Sequence, residues 1–350
     1  MLQISEITAS VSDLPLKEPF ETAKGRKTSS PAVVIEMRLS NGLTGLGAAT
    51  PVKYVTGEDI DSVLAAVDMC RNDLIGQDPR AYRVIFEMLA EALPDDPSAR
   101  AGLEIAAVDA FCKLYDMPMY RFFGGALSEV ETDVTIPITP PDHARELAKE
   151  AAAKGFNSLK VKVGSDVEED IARIRAMAEG APNCTIRADA NQGFVPTVAV
   201  GFVNSLLSAG IRLDILEQPV DYKDFDGLRY VTQHTSIPVF ADESVQTRAD
   251  AIKLVELDAV DGMNIKLMKS GIAGALDIIA VCRAARKELM LGCMIESAHG
   301  FSAAIHLAAG TGVFSRLDLD AHLLLAEQPG ASELFAADGP ILRPGPFADH

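Results

Sequence analysis

Charged side chains recur at a nearly constant interval along the second half of the chain, each where an apolar run ends. They are Lys162, Asp189, Glu217, Asp242, Lys266 and the pair Asp318 and Asp320. The first four intervals are 27, 28, 25 and 24 residues, and 52 residues, about two such units, separate Lys266 from Asp318. One strand plus one helix has this length, and its repetition is typical of a (β/α) barrel. Because all strands of such a barrel point the same way, the pattern predicts one pocket surrounded by these side chains.

Apolar runs after residue 125 predict the barrel strands, with amphipathic helices between most of them. The strands are expected near residues 132–138, 157–163, 184–189, 213–217, 237–241, 261–265, 289–294 and 313–319. Residues 1–125 do not follow the repeat, and their alternating runs and later helical periodicity predict an α+β domain with a hairpin turn at Asn41 and Gly42. Residues 126–322 are then the barrel. The glycine- and proline-rich residues 323–350 break the repeat and are expected to return to the first domain.

Composition narrows the classes of partner. The chain has 32 basic and 50 acidic residues, a formal net charge of −18, which repels phosphate backbones and anionic lipid. We therefore expect neither nucleic acid nor membrane as a partner. The five cysteines are odd in number and mostly lie in apolar stretches, which indicates reduced core residues. The first residues do not resemble a targeting segment, and no apolar stretch reaches membrane-spanning length, so we predict a cytoplasmic protein.

Two lysines share one face of the second predicted strand. In residues 158–163, SLKVKV, the two-residue period of a strand turns Lys160 and Lys162 to one side and the apolar residues to the other. Barrel strands are normally apolar on both faces. The alternative is the solvated face of an edge strand, but a closed barrel has no edge. Adjacent ammonium groups depress each other's pKa, as a lysine base near neutral pH requires, so the pair predicts chemistry.

Asp189, Glu217 and Asp242 end three consecutive predicted strands, which lie about 4.8 Å apart. Together they can bind one ion, and oxygen ligands alone suit Mg²⁺ better than zinc. A helix N-cap is the alternative for Asp189 or Asp242 singly, but it does not account well for all three.

Lys266 ends the sixth predicted strand and Lys162 lies on the second, so the two face each other across an eight-stranded barrel. A substrate held on the metal between them would have one lysine on each side of its reacting carbon. This arrangement suits removal of a proton from one side and its return on the other. The metal would stabilise the enediolate that forms next to a carboxylate.

These motifs resemble the enolase superfamily, in its muconate-lactonizing-enzyme-like subgroup. The resemblance covers nearly the whole chain and rests on Lys160-x-Lys162, Asp189-x-Asn191, Glu217-x-Pro219, Asp242-Glu243 and Asn264-Ile-Lys266. The mandelate racemase subgroup would place a histidine base on the seventh strand, which here ends Gly-Cys-Met-Ile-Glu at residues 292–296. The resemblance implies an α/β fold, a modified (β/α)₇β TIM-type barrel with an N-terminal α+β capping domain, and Mg²⁺ as cofactor.

The pair Asp318 and Asp320 resembles the Asp-x-Asp motif with which dipeptide epimerases hold the α-ammonium group of their substrate. The alternative for Asp318 is a salt bridge to Arg316 or to the capping domain. We therefore expect a Mg²⁺-dependent isomerase, a dipeptide epimerase that inverts the α-carbon of the C-terminal residue by two-base 1,1-proton transfer. The rival hypotheses are an N-acylamino acid racemase, an o-succinylbenzoate synthase, a muconate-type cycloisomerase or, outside enzymes, a carboxylate-binding protein.

In this hypothesis Lys162 and Lys266 are the acid/base pair, and Lys160 stabilises the enolate charge. Asn191 and Asp133 are expected to support these groups. Further substrate-binding residues are expected to be Lys24, Arg26, Tyr54, Thr135, Met294 and Glu296, although Glu296 suits a helix cap equally well. The arginine that pairs with glutamate in L-Ala-D/L-Glu epimerases aligns with Gly25, so Ala-Glu is not expected to be the preferred substrate. We also expect a homo-oligomer.

Overall fold

The computed structural model describes residues 2–22, 25–326, 328 and 330–345; the side chains of residues 19–22 and 25–27 lie outside this description. The N-terminal strands are β1 (Ile4–Ser12), β2 (Pro15–Thr22), β3 (Gly25–Ser29), β4 (Ala32–Leu39) and β5 (Thr44–Ala49). The helices that follow are α1 (Lys53–Thr56), α2 (Ile60–Leu74), α3 (Tyr82–Ala92), α4 (Pro97–Leu114) and α5 (Met119–Phe122).

Strands β1, β4 and β5 form an antiparallel sheet against which α4 packs. Gly45 and Gly47 on β5 permit this approach, since a Cβ atom at either position would lie 2.1 Å from a carbonyl oxygen of α4. The predicted hairpin turn is confirmed: β4 pairs with β5, and Gly42 has the left-handed φ of 92° that such a turn requires. The α+β capping domain expected from the sequence is therefore present.

Strands β2 and β3 pair antiparallel and form a hairpin that was not predicted from the sequence. Its residues are mostly polar and lack apolar alternation, so periodicity did not predict the strands. Leu14 anchors the start of this hairpin in a small cluster with Ala32 and Leu325. Among the described side chains, Leu14 and Leu16 join the hairpin to this cluster, and backbone pairing joins its strands.

After a short strand β6 (Val130–Glu131), eight parallel strands form the barrel sheet. They are β7 (Val134–Ile136), β8 (Ser158–Lys162), β9 (Thr185–Asp189), β10 (Ile215–Glu217), β11 (Val239–Ala241), β12 (Gly262–Ile265), β13 (Glu288–Gly292) and β14 (Arg316–Asp318). The helices between them are α6 (Pro141–Ala153), α7 (Val167–Gly180), α8 (Pro196–Ser208), α9 (Phe225–His234), α10 (Arg248–Glu256), α11 (Leu267–Ala285) and α12 (Ala298–Thr311). Each predicted strand overlaps an observed one, and the modified (β/α)₇β barrel is confirmed.

Strand β14 lies beside the residues that lead into β7, the first barrel strand, and so nearly closes the barrel. The backbone N–H of Asp133 donates to the carbonyl of Leu317, and the N–H of Leu319 donates to Thr132 Oγ1 at 2.7 Å. Helix α11 carries the main contact with the capping domain, because it packs against α4. Among the described helices, none is both long and apolar enough to cross a membrane.

The C-terminal segment contacts both parts of the chain. It contains α13 (Ala321–Leu324), α14 (Ala331–Leu334), β15 (Phe335–Asp338) and β16 (Ile341–Pro344). Leu325 forms a bridge with Leu16 of β2, so the start of the segment touches the N-terminal hairpin. Strand β16 pairs with β6, which precedes the first barrel strand.

Candidate active site

The carboxyl ends of five consecutive strands bring the predicted charged side chains together. In the strand ladders, Asp189 is the Cα partner of both Lys162 and Glu217, so these three lie in one row across β8, β9 and β10. Asp242 and Lys266 directly follow β11 and β12. The regular spacing of these residues in the chain therefore corresponds to one ring of charges in space.

Asp189, Glu217 and Asp242 form a buried carboxylate cluster in which one oxygen of each lies within 4.8 Å of the others. Burial of like charges is unfavourable unless cations compensate them. Compensation is incomplete at Glu217, where burial and Asp189 raise the pKa to about 7. Its Oε2 accepts no hydrogen bond, although Lys160 Nζ lies 2.8 Å away. An unpartnered carboxylate oxygen within a cluster of three carboxylates fits a hard divalent cation such as Mg²⁺.

Lys160 is 1% exposed and surrounded by carboxylates. Its Nζ lies 2.6 Å from Asp318 Oδ2, 2.8 Å from Glu217 Oε2 and 3.0 Å from Asp189 Oδ2. Burial alone would lower its pKa, but Asp189, Asp318 and Glu217 raise the pKa well above its ordinary value. The expectation of a depressed pKa is therefore wrong for Lys160. That expectation took account of the neighbouring ammonium group of Lys162 but not of the carboxylates on the adjoining strands.

Lys162 and Lys266 line one cavity from opposite sides, since β8 and β12 are separated by three strands in either direction around the eight-stranded barrel. Lys162 Nζ donates to Asp189 Oδ2 at 2.7 Å, and Lys266 Nζ donates to Asp242 Oδ2 at 2.8 Å. Burial alone would lower the pKa of Lys266, but Asp242 raises it above its ordinary value. Both amines therefore lie beside the carboxylate cluster and next to the cavity.

Two residues that hold the carboxylates were not predicted in that role. Lys269 Nζ lies 2.5 Å from Asp242 Oδ1 and also donates to the carbonyl of Asp242, while Asn264 Nδ2 donates to Glu217 Oε1 at 2.7 Å. Both are buried. Their spacing from Lys266 could have predicted this role. Asn264 is two residues earlier on the strand and Lys269 is three residues later on the helix, so both side chains are expected on the same side as Lys266.

Asp318 and Asp320 line the same cavity but have different partners. Asp318 Oδ2 accepts a hydrogen bond from Lys160 Nζ, whereas Asp320 Oδ2 accepts one from the backbone N–H of Thr135 at 2.8 Å. Burial would raise the pKa of Asp318, but Lys160 holds it below its ordinary value. Burial and the charge of Asp318 raise the pKa of Asp320.

Asp133 precedes β7 and accepts a hydrogen bond from Arg187 Nη1 at 2.8 Å. Burial and the charges of Asp318 and Asp320 raise its pKa, whereas Arg187 and Lys160 act to lower it, and its supporting role at the site stays a prediction. Arg316, the alternative partner of Asp318, pairs with Asp214 at 2.9 Å. Arg316 begins β14, so its side chain lies near the amino ends of the strands.

The remaining predicted residues differ in their relation to the cavity. Tyr54, Thr135 and Met294 line it. The backbone N–H of Asn191 donates to Asp189 Oδ1 at 2.9 Å, so Asn191 adjoins the carboxylate cluster. Glu296 is buried and its Oε1 accepts a hydrogen bond from the N–H of Met294 at 2.8 Å, which orders the loop behind the cavity.

Two predicted residues belong to the N-terminal hairpin. Lys24 lies outside the described residues. Arg26 is the Cα partner of Glu21 in the β2–β3 ladder, and its side chain lies outside the description.

The fold and site define a class of barrel proteins in which buried carboxylates at the strand ends are flanked by lysines on opposite sides. Residues 5–124 match the mandelate racemase / muconate lactonizing enzyme N-terminal domain, and residues 143–345 match the enolase C-terminal domain-like family. The chain belongs to the enolase superfamily, in its mandelate racemase and muconate lactonizing enzyme family.

Several relatives align over almost the whole chain. An aromatic dipeptide epimerase from Herpetosiphon aurantiacus is 37% identical over 99% of this chain and 98% of its own length. An L-Ala-D/L-Glu epimerase from Thermotoga maritima is 36% identical over 98% of this chain and 99% of its own length. The crystal structure of a dipeptide epimerase from Enterococcus faecalis, complexed with Mg and the dipeptide L-Leu-L-Tyr, has a TM-score of 0.93 and 34% identity, covering 98% of this chain and 97% of that one.

Proposed function

We propose that the protein is a Mg²⁺-dependent dipeptide epimerase that inverts the α-carbon of the C-terminal residue. The observation that carries this proposal is the state of Asp320, a buried carboxylate in the cavity lined by Lys162 and Lys266. Thr135 donates to it from both the backbone N–H and the side chain, and no lysine or arginine in the described part of the chain forms an ion pair with it. The ammonium group of a dipeptide supplies the missing positive charge. Muconate-type and o-succinylbenzoate-type substrates have no such group.

In this proposal Asp189, Glu217 and Asp242 hold Mg²⁺, which supplies positive charge beside the substrate carboxylate and makes the neighbouring α-proton more acidic. Lys162 and Lys266 stand on opposite sides of the cavity. The lysine in its neutral form takes the α-proton from one face, and the protonated lysine delivers a proton to the other face. The two proton transfers at one carbon invert its configuration without changing the composition of the substrate.

Lys160 contributes a fixed positive charge in this scheme. Its Nζ is held by Asp189, Glu217 and Asp318, whereas the lysines that line the cavity among the described residues are Lys162 and Lys266. Its charge stabilises negative charge that develops on the substrate carboxylate. The similarity to dipeptide epimerases supports the proposed reaction. The Enterococcus faecalis complex with Mg and a dipeptide supports Mg²⁺ and a dipeptide as the ligands of this site.

The cavity walls favour an apolar side chain on the substrate. Val52, Val55, Ile295 and Leu324 line the cavity. Among the described residues that line it, the cations are Lys162 and Lys266, and both are paired with carboxylates. A glutamate side chain therefore finds no dedicated cation on these walls. We propose that dipeptides with an apolar C-terminal residue are preferred over Ala-Glu.

A dipeptide library in deuterated water tests the proposal. The native protein with Mg²⁺ is expected to incorporate one deuterium at the α-carbon of the C-terminal residue, measured by mass spectrometry, and to produce both diastereomers, measured by chromatography. Chelation should abolish both signals and Mg²⁺ should restore them. The Asp189→Asn variant is the matched control, because it keeps the shape of the cluster and removes one ligand charge.

Other outcomes assign other functions. Faster turnover of N-acylated amino acids would identify an N-acylamino acid racemase, and exchange that persists in metal-free protein would contradict the metal roles. Absence of exchange from both substrate groups would favour a carboxylate-binding protein. L-Ala-L-Glu as the best substrate would contradict the proposed preference. Homo-oligomerisation stays a prediction, which light scattering on the purified protein tests.

A further inference from the structure

Helix α11 is interrupted directly after its first turn, which follows Lys266 and carries Lys269. Gly271 has φ 68° and ψ −178°, outside the helical region, so residues 267–270 form one turn and residues 272–285 form a second helical segment. A side chain is disfavoured at this φ. The residues from Leu267 to Gly271 are all buried. The position of the first turn therefore depends on its neighbours as well as on the rest of the helix.

Glu104 of α4, in the capping domain, lies at this interruption. It is 0% exposed, and its Oε2 accepts a hydrogen bond from the backbone N–H of Ala273 at 3.0 Å, near a helix start where N–H groups lack helical partners. A Cβ atom on Gly271 would lie 2.5 Å from Glu104 Oε2, so the carboxyl occupies the space of a side chain. Burial raises the pKa of Glu104 to about 7, although the Ala273 N–H, the charge of Arg100 and the Ile272 N–H act to lower it.

The capping domain makes two further contacts with the first turn of α11. Arg100 lies one helical turn before Glu104 on the same face of α4, and its Nη2 donates to the carbonyl of Ser270 at 3.4 Å. The backbone N–H of Thr50, directly after β5, donates to Met268 Sδ at 3.2 Å. Two elements of the capping domain therefore hold this turn.

The same turn contacts the carboxylate cluster. Lys269 Nζ lies 2.5 Å from Asp242 Oδ1 and donates to the carbonyl of Asn264 at 3.0 Å. The backbone N–H of Lys269 donates to the carbonyl of Lys266 at 2.9 Å, so the turn also fixes the backbone that carries the Lys266 side chain. A displacement of the turn would move both amines relative to Asp242.

We propose that Glu104 is a positioning residue of the capping domain: it holds the interruption of α11, and thereby keeps Lys269 on Asp242 and Lys266 beside the cavity. Arg100 supports it from the preceding turn of α4. The inference rests on the proposed function for its effect on epimerisation, whereas its effect on metal binding follows from the contact between Lys269 and Asp242. The capping domain thus acts on the metal centre as well as supplying cavity walls.

The first experiment compares Glu104→Met with Glu58→Met. Glu58 is the matched control, because it is another buried carboxylate of the capping domain at a helix start, where it accepts hydrogen bonds from the N–H groups of Ser98 and Ala99 at 2.8 and 2.9 Å. Mn²⁺ affinity, measured by calorimetry without turnover, is expected to fall about tenfold in Glu104→Met and less than about threefold in Glu58→Met. Equal effects would mean that Glu104 contributes only general stability, and would overturn the proposal.

Glu104→Gln tests whether the hydrogen bond to α11 is responsible. The amide keeps the shape and an acceptor oxygen, and it matches the protonated form that a pKa of about 7 allows near neutral pH. Mn²⁺ affinity should therefore stay within about threefold of the native value. A loss as large as that in Glu104→Met would contradict positioning through this hydrogen bond.

Kinetics with saturating Mg²⁺ and L-Ala-L-Phe separate positioning from recognition. Glu104→Met is expected to lower kcat of α-hydrogen exchange about tenfold and to change KM less than about threefold, because Lys266 and Asp242 move while the cavity walls keep their contacts. A loss confined to KM would overturn the proposal. If the native protein exchanges no dipeptide, the proposed function fails, and the Mn²⁺ comparison still decides the role of Glu104.

A double variant tests whether Glu104 acts through Lys269. Adding Glu104→Met to Lys269→Met should change Mn²⁺ affinity by less than about threefold, since the connection to Asp242 is already absent. Independent, multiplicative losses would contradict the proposal. If Glu104→Met does not fold, Arg100→Met tests the same turn from a half-buried position. Mn²⁺ affinity lowered by about threefold or more in that variant supports the proposal, and unchanged affinity overturns it.

Discussion

The two ends of the barrel both bury acidic and basic side chains, but they use different bases. At the carboxyl ends of the strands, the cations that contact the metal cluster are lysines: Lys160, Lys162, Lys266 and Lys269. At the amino ends they are arginines. Arg187 bonds to Asp133 at 2.8 Å and Asp214 at 3.1 Å, and Arg316 donates two hydrogen bonds to Asp214, each 2.9 Å long.

This difference separates chemistry from stability. Arginine remains protonated and its planar fork bonds two acceptors at fixed angles, which suits a permanent crosslink between strand starts. At Asp214 the arginines outweigh burial and hold the pKa of the carboxyl below its ordinary value. Lysine is a compact charge on a flexible stem and can give up its proton when its surroundings change. The same fold thus carries a fixed network at one end and a proton-transfer network at the other.

Exchanging a base at the carboxyl end without changing its charge gives the largest expected effect. Lys266→Arg should lower epimerisation by about 10³-fold or more, because a guanidinium cannot act as the neutral base and does not fit the ammonium position. Deuterium exchange from one stereoisomer should persist, since Lys162 still serves the other face. Lys162→Arg should leave exchange from the opposite stereoisomer. Measurement of both products by chromatography and mass spectrometry distinguishes the two variants.

One result would contradict the proposed base roles of Lys162 and Lys266. Near-native epimerisation in either arginine variant would show that charge alone suffices at that position and would end the two-base scheme. Mn²⁺ affinity serves as the control, because a variant that no longer binds metal would lose activity for another reason. A variant with native-like Mn²⁺ affinity and the expected stereoisomer dependence would sharpen the contrast between the two ends.

A smaller effect is expected when a carboxylate loses a neutral support. Asn264→Leu removes the hydrogen bond of 2.7 Å to Glu217 Oε1 while keeping a side chain of similar size. Metal affinity should fall about 10- to 100-fold, because the orientation of the ligand is no longer held. Titration calorimetry with Mn²⁺ measures the loss, and thermal unfolding with chelator present provides the control. Unchanged affinity would mean that the strands alone orient Glu217.

The arrangement of strands and charged strand ends was predictable because a parallel barrel combines two strong periodicities. Its strands are apolar, so Asp189 and Glu217 at their ends are conspicuous, and the repeat length places them on successive strands. The same logic located Lys266 opposite Lys162. It did not distinguish the partners of Asp318 and Asp320, since these residues are only two positions apart at the end of β14 and their three-dimensional neighbours alone separate them.

The remaining features depend on contacts between distant segments. Lys269 is on a helix, where a lysine is ordinarily a surface residue, and its burial against Asp242 follows from how α11 begins. The elevated pKa of Lys160 depends on three carboxylates from other strands. The pairing of β2 with β3 depends on backbone hydrogen bonds that leave no apolar pattern. Sequence periodicity contains little information about any of these.

The smallest change in activity is expected from the matched exchange at the amino end, Arg187→Lys. One ammonium cannot keep the contacts that the guanidinium makes with Asp133, Asp214 and the carbonyl of Leu317, so a buried acceptor loses its partner. The free energy of unfolding should fall by about 1–2 kcal/mol, measured by chemical denaturation with chelator present. The rate of α-hydrogen exchange should stay within about threefold of native, because the carboxyl-end groups keep their own partners. A folded Arg187→Lys protein with a tenfold lower rate would show that the amino-end network controls the position of Asp189, and that the two ends do not act separately.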